Sequence, residues 1–185
     1  MNTKELDGYL KFLSEKQTAV QESGFDVEDS DLNPLLFPFQ KYCVKRALKV
    51  GRFAMFEDCG LGKTYQQLEW AQQVVNHINK PVLILAPLGV IGQTIKEGVH
   101  FGYKVNEIAI TTFDQDLSAG IYITNYDNMD NIDAYLFGGV VLDESSILKN
   151  FAGKTRTALI EDFKNTPYKL CCTATPSPND TTELC

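Results

Sequence analysis

Histidine is scarce: His77 and His100 are the only two in 185 residues, and neither has a cysteine or acidic neighbour at zinc-ligand spacing. That excludes a zinc centre as the organising feature and makes both rings structural. A disulfide scaffold is missing too. The five cysteines are odd in number, and Cys171 and Cys172 are adjacent in a strand-like run. Such a set suits a reducing compartment. No stretch is long or apolar enough to span a bilayer, and the N-terminus lacks the basic region and apolar core of a signal peptide, so the cytoplasm is the expected location. Positive charge is in deficit, with 17 Lys and Arg against 24 Asp and Glu, a net charge of −7. A lobe so charged is expected to hold nucleic acid only weakly by itself, because Lys and Arg dominate affinity for the phosphate backbone. There is no internal repeat and no low-complexity segment. A hydrophobic content of 44% over this length suits one compact domain with an N-terminal extension.

The stretch Glu57-Asp58-Cys59-Gly60-Leu61-Gly62-Lys63-Thr64 follows the apolar run Phe53-Ala54-Met55-Phe56 and precedes a helical segment. Strand, glycine-rich turn, Gly-Lys-Thr and helix is the layout of a phosphate-binding loop. Gly60 and Gly62 let the backbone N–H groups around Leu61 converge on a phosphate, and the next helix adds its positive end. Lys63 is placed to reach the β- and γ-phosphates and Thr64 to ligate Mg²⁺. One element of the full pattern is lacking, since Glu57 stands where its first glycine belongs. Eighty positions beyond Lys63, the apolar run Gly138 to Leu142 ends on Asp143-Glu144. In nucleotide hydrolases the first such acid holds Mg²⁺ and the second orients or deprotonates the attacking water.

These residues resemble the first RecA-like lobe of a superfamily 2 helicase or translocase, nearest the Swi/Snf-like branch and its phage-encoded relatives. Leu36 to Gln40 resembles the adenine-reading Q motif, and Asp58 to Thr64 resembles motif I, whose Swi/Snf form also lacks the first glycine. Leu85-Ala86-Pro87-Leu88 resembles motif Ia, Ile123-Thr124-Asn125-Tyr126 motif Ib, Asp143 to Asn150 motif II with its trailing Lys149-Asn150, and Thr173-Ala174-Thr175-Pro176 motif III. The resemblance implies ATP and Mg²⁺ as ligands, with Lys63, Asp143 and Glu144 catalytic and Thr64 and Asp143 on the metal. Gln40, Gly60, Leu61, Gly62, Lys63, Thr64 and Gln66 would bind the nucleotide, with Gln40 reading adenine. Thr173, Ala174 and Thr175 would couple the sites. Pro87, Leu88, Thr124, Asn125, Lys149 and Asn150 would contact nucleic acid, DNA rather than RNA. The setting implied is the cytoplasm of a bacterial or phage-infected cell. Two departures stand out. Ser146 replaces the histidine or aspartate that closes the motif II tetrad, so coupling must use a serine hydroxyl or another route. Only nine residues follow Pro176, so the family's second RecA-like lobe and its arginine fingers are expected from elsewhere, in cis or in trans. Alone, the chain is expected to bind ATP with little turnover. The alternative, from another class, is a non-catalytic, nucleotide-gated adaptor or decoy that keeps one lobe.

The expected fold is α/β, a mostly parallel RecA-like sheet with helices on both faces. Residues 1–33 form an N-terminal extension, with an amphipathic helix over Thr3 to Gln21 and a polar, acidic linker over Glu22 to Asn33. Residues 34–185 form the ATP-binding lobe. Pro38 starts a helix to about Val50. Strands are expected near 52–56, 82–86, 105–110, 120–124, 139–142 and 168–173, and helices near 63–79, 90–100, 128–137 and 154–164. Lys41, Lys45 and Lys49 share one face of the helix that starts at Pro38, a surface for DNA, a partner or plain solvent.

Overall fold

A computed structural model describes residues 22–108, 117–149 and 153–175, so the expected helix over Thr3 to Gln21 lies outside the described residues. Six strands form one sheet: β1 (Arg52–Phe56), β2 (Val82–Ala86), β3 (Val105–Glu107), β4 (Ile121–Asn125), β5 (Gly139–Leu142) and β6 (Tyr168–Thr173). Every pairing is parallel, in the order β1-β6-β5-β2-β4-β3. The helices are α1 (Pro38–Val50), α2 (Lys63–Ile78), α3 (Ile91–Phe101) and α4 (Gly153–Asp162).

The sheet is covered on both faces, and the strand alternation says which residues go where. Ile84 of β2, Ile123 of β4 and Val141 of β5 join Val44, Leu48, Trp70 and Val74 in the core beneath α1 and α2. Their neighbours Leu83, Leu85, Tyr122, Val140 and Leu142 face the other way, onto Leu159, Phe163 and Phe137. The five residues of β2 are all buried, as a central parallel strand requires.

Two expectations need correction. Residues 128–137 are not one helix but two short 3₁₀ turns, Tyr126–Asn131 and Ala134–Leu136. The Asn125 side chain accepts the Asn128 N–H, and Asp133 accepts the Tyr135 N–H, so each starts its own turn, with Ile132 extended between them. The acidic segment 22–33 does not hang free as a linker. The Ser23, Gly24 and Phe25 amides donate to the carbonyls of Val50, Lys49 and Leu48. A Cβ on Gly24 would lie 1.8 Å from the Leu48 carbonyl, so only glycine permits this approach. Phe25 stacks on His77 with ring centroids 3.9 Å apart, Leu32 is buried, and Asn33 donates to the Phe101 carbonyl.

Candidate active site

Three adjacent parallel strands bring the chemistry together. Phe56 at the end of β1 pairs with Thr173 of β6, and Leu142 at the end of β5 pairs with Cys171. The phosphate loop, the Asp143-Glu144 pair and the Thr173–Thr175 segment therefore leave the carboxyl edge side by side, where open α/β sheets bind ligands. They border a cleft of about 360 Å³ lined by Gly60, Gly62, Lys63, Thr64, Asp143, Glu144 and Ala174. Cys59, Tyr65, Gln93 and Glu97 complete its wall.

The loop has the conformation its glycines predict. Gly60 and Gly62 have φ of +84° and +77°, and α2 starts directly from Gly62. The Lys63 ammonium donates to the Glu57 and Asp58 carbonyls at 2.7 and 2.9 Å, which folds it over the loop. Gln40, expected to read adenine, is only 3% exposed and both ends of its amide are engaged. Its Oε1 accepts the Phe37 N–H at 2.9 Å and its Nε2 donates to the Leu61 carbonyl at 2.9 Å, so it braces the loop from behind. Phe37 is 64% exposed and lies parallel to Phe39, which removes it from the core. Gln66, expected at the nucleotide, follows the loop in the first turn of α2. It is fully buried and donates to the Glu57 carboxylate at 2.6 Å. Glu57 thus occupies the missing glycine's position as an acceptor for Gln66.

The two acids sit in contrasting environments. Burial pushes the Asp143 carboxyl up, against the hydrogen bond that Gln67 donates to its Oδ1 at 2.7 Å. The Tyr126 hydroxyl donates to the Asp143 backbone carbonyl at 2.7 Å. Glu144, with φ of +49°, carries a hydroxyl cluster on one oxygen. Oε1 accepts from Ser146 Oγ at 2.5 Å, Thr173 Oγ1 at 2.7 Å and Thr175 Oγ1 at 3.3 Å. Burial raises the Glu144 carboxyl, but these donors and the Lys63 charge together outweigh it and hold it below the usual carboxylate range. Ser146 Oγ also lies 3.3 Å from Thr175 Oγ1, so the serine that departs from the motif II pattern touches both motif II and motif III side chains. Burial lifts the Cys43, Cys171 and Cys172 thiols, with Glu57 adding to the first, which makes them poor nucleophiles.

The expected nucleic-acid residues divide. Leu88 is 70% exposed in the short turn after Pro87, at the carboxyl end of β2. Thr124 is 1% exposed, donating to the Ile108 carbonyl and accepting from Asn128. Asn125 caps the following turn through its side chain. Lys149 ends the 3₁₀ turn Ser145–Lys149, and Asn150 lies outside the described residues. The residues the sequence reading missed are Gln67, Tyr126 and Glu57. Gln67 lies one helical turn beyond Lys63, a spacing that puts both on one face of α2. Tyr126 closes the motif Ib stretch in sequence, but its contact with Asp143 depends on β4 and β5 flanking β2, which the stretch itself does not show. No group of three or more His, Cys, Asp or Glu placed to hold a metal occurs among the described residues, and none of their helices is long and apolar enough to cross a membrane.

Residues 40–185 match the family model described as the SNF2-related domain. The chain belongs to that family. Among relatives of this SNF2-related lobe, protein p41 of Acyrthosiphon pisum secondary endosymbiont phage 1 is 26% identical over 169 residues, covering 80% of the chain and 37% of p41. The UvsW helicase of bacteriophage T4 superposes with a TM-score of 0.67 at 16% identity, over 80% of the lobe and 55% of that chain. The Sulfolobus solfataricus SWI2/SNF2 ATPase core, solved with double-stranded DNA, gives 0.65 at 21% identity, over 85% and 36%. The SNF2-related lobe thus spans well under half of p41 and has the RecA-like fold of a helicase ATPase core.

Proposed function

We propose that the chain is the ATP-binding lobe of a nucleic-acid-dependent ATPase of the helicase or translocase type, acting on DNA with a second RecA-like lobe. The observation that carries this reading is the convergence of Lys63, Thr64, Asp143 and a hydroxyl-clamped Glu144 on one cleft. The donor set suits the ligands. Gly60 leaves open space where a Cβ would stand, so nothing obstructs a phosphate over the loop. The Thr64 hydroxyl and the Asp143 carboxylate are hard oxygen ligands of the kind Mg²⁺ takes. Thr64 and Asp143 would hold Mg²⁺ there, and the ion would neutralise charge on the phosphates.

Each side chain then has a distinct task. Lys63 exchanges its two loop carbonyls for phosphate oxygens. Glu144, ionised and fixed by its three hydroxyl partners, accepts a proton from water positioned against the γ-phosphate. Gln40 acts through the loop backbone that it braces. An arginine finger from the second lobe contributes on the order of 10³–10⁵ in rate, so this lobe alone turns ATP over slowly. The reading is supported by the SNF2-related match and by the DNA-bound state of the Sulfolobus core. The test is ATP turnover by residues 1–185 with and without single- and double-stranded DNA. Slow turnover indifferent to DNA is expected. Strong DNA-stimulated turnover proportional to protein concentration would mean that one lobe is catalytically complete, against the reading.

A further inference from the structure

Helix α1 carries a stripe that the ATPase reading does not use. Pro38, Lys41, Tyr42, Lys45, Arg46 and Lys49 lie on one face at helical spacing and line a groove of about 300 Å³. The acidic segment of the chain's own N-terminal side arches over them. Lys45 pairs with Asp29 at 2.7 Å, Arg46 with Glu22 at 2.6 Å, and Lys49 with Asp26 at 3.3 Å and Glu22 at 3.7 Å. Lys41 donates to the Asp29 backbone carbonyl at 3.3 Å.

The arch is anchored at its ends by backbone hydrogen bonds and between them by Val27, which packs against the core. At one end, the amides of Ser23 to Phe25 bond to the last carbonyls of α1. At the other, Gln73 donates to the Asp31 carbonyl and the buried Glu69 carboxylate accepts the Asn33 N–H. The carboxylates of Asp26 and Asp29 between the ends, and of Glu22 just before the first, meet the cations in exposed ion pairs, which contribute little and are screened by salt. A polyanion with closely spaced charges can therefore displace them without unfolding the lobe. The middle of the stripe also carries an aromatic ring, Tyr42, which is 72% exposed. Cations tracking a backbone beside an exposed aromatic are how single-stranded nucleic acid is held.

We propose that this face of α1 is a second nucleic-acid contact, a docking track for a phosphodiester strand that the acidic arch covers in its absence. Lys41, Lys45, Arg46 and Lys49 take phosphates and Tyr42 stacks on a base. The arch makes strand binding weak until the strand is concentrated locally, as it is when nucleic acid already lies on the motor. The proposal goes beyond nucleotide hydrolysis and does not depend on it.

The experiment measures anisotropy of a fluorescein-labelled 20-nucleotide single strand, and of the matching duplex, titrated with the full chain. The arch variant Glu22→Gln/Asp26→Asn/Asp29→Asn is expected to bind the single strand at least about tenfold more tightly than the parent. Its salt slope should steepen by about two, since three freed cations each release counterions with a factor near 0.7. Adding Lys45→Ala/Lys49→Ala should cancel the gain, and adding Tyr42→Ala should reduce it for the single strand and not for the duplex. Three outcomes would overturn the proposal. One is a lack of gain in the arch variant. Another is an equal gain in the charge-matched control Glu107→Gln/Asp130→Asn/Glu161→Gln, which leaves the arch intact. The third is competition by polyglutamate as effective as by unlabelled strand at equal charge, which assigns the face to an acidic peptide. ATP affinity measured alongside keeps the two claims separate. Lost strand binding with intact ATP binding removes this proposal alone, and the reverse removes only the ATPase reading.

Discussion

Asp143 and Glu144 are adjacent in sequence, yet their surroundings push them in opposite directions. The Asp143 carboxyl titrates above its ordinary range because it is buried. Its ionised form therefore opposes folding at neutral pH, and the opposition is relieved as pH falls through the raised value. Asp143→Asn keeps an acceptor for Gln67 and removes the buried charge, so the nucleotide-free lobe should gain about 1 kcal/mol, or roughly 2–4 °C in Tm, while Mg²⁺ dependence weakens. Thermal melting at neutral pH checks this, and a lowered Tm contradicts it. Glu144 behaves oppositely. Its hydroxyl cluster contributes stability above the ordinary carboxylate range, lost as pH falls through its lowered value. In a two-lobed protein, Glu144→Gln should retain ATP affinity and lose hydrolysis by a factor of about 10²–10⁴, read in a steady-state ATPase assay. Hydrolysis at the parent rate would reduce Glu144 to a structural anchor. Gln40 yields a different signature. Because both of its amide atoms bond backbone, Gln40→Ala should weaken ATP and GTP binding by the same factor in calorimetry. Loss of ATP binding alone would assign Gln40 to direct reading of adenine.

At the scale of elements, the order of strands decides what one cleft contains. Because β6 lies between β1 and β5, the phosphate loop and the acid pair flank Thr173 and Thr175, and Glu144 receives hydroxyls from its own turn and from β6. The strands and α1 to α3 were legible because each has a strong period and a marked start, such as Pro38 or Gly62. The helix expected over 128–137 was not, because Asn125 and Asp133 bond to nearby backbone and divide the segment, a local competition that apolar spacing does not display. The buried positions of Gln66 and Thr124 were also hidden, since a motif match fixes a place in sequence and not a side chain's direction. Residues 22–33 read as a linker from their polar, acidic composition, which does not show that Gly24 lets them pack on the last carbonyls of α1. Gly24→Ala would set a Cβ against the Leu48 carbonyl, so a destabilisation of about 1–3 kcal/mol is expected, measurable by urea denaturation. An unchanged midpoint would mean that the segment does not hold to α1 in solution.

For the molecule as a whole, charge and architecture agree. A net charge of −7 argues against strong autonomous strand binding, and the basic stripe on α1 is neutralised by the chain's own acids. The site occupies the carboxyl edge of the sheet, where β1, β6 and β5 end. We propose that this edge binds Mg-ATP through the phosphate loop. Calorimetric titration of ATP into residues 1–185, with and without Mg²⁺, tests it most directly, beside Lys63→Ala verified as folded by circular dichroism and melting. The account predicts one Mg²⁺-dependent site in the parent and no measurable heat in Lys63→Ala. Binding by the folded Lys63→Ala chain with the parent's affinity, or no binding by the parent at all, would contradict it.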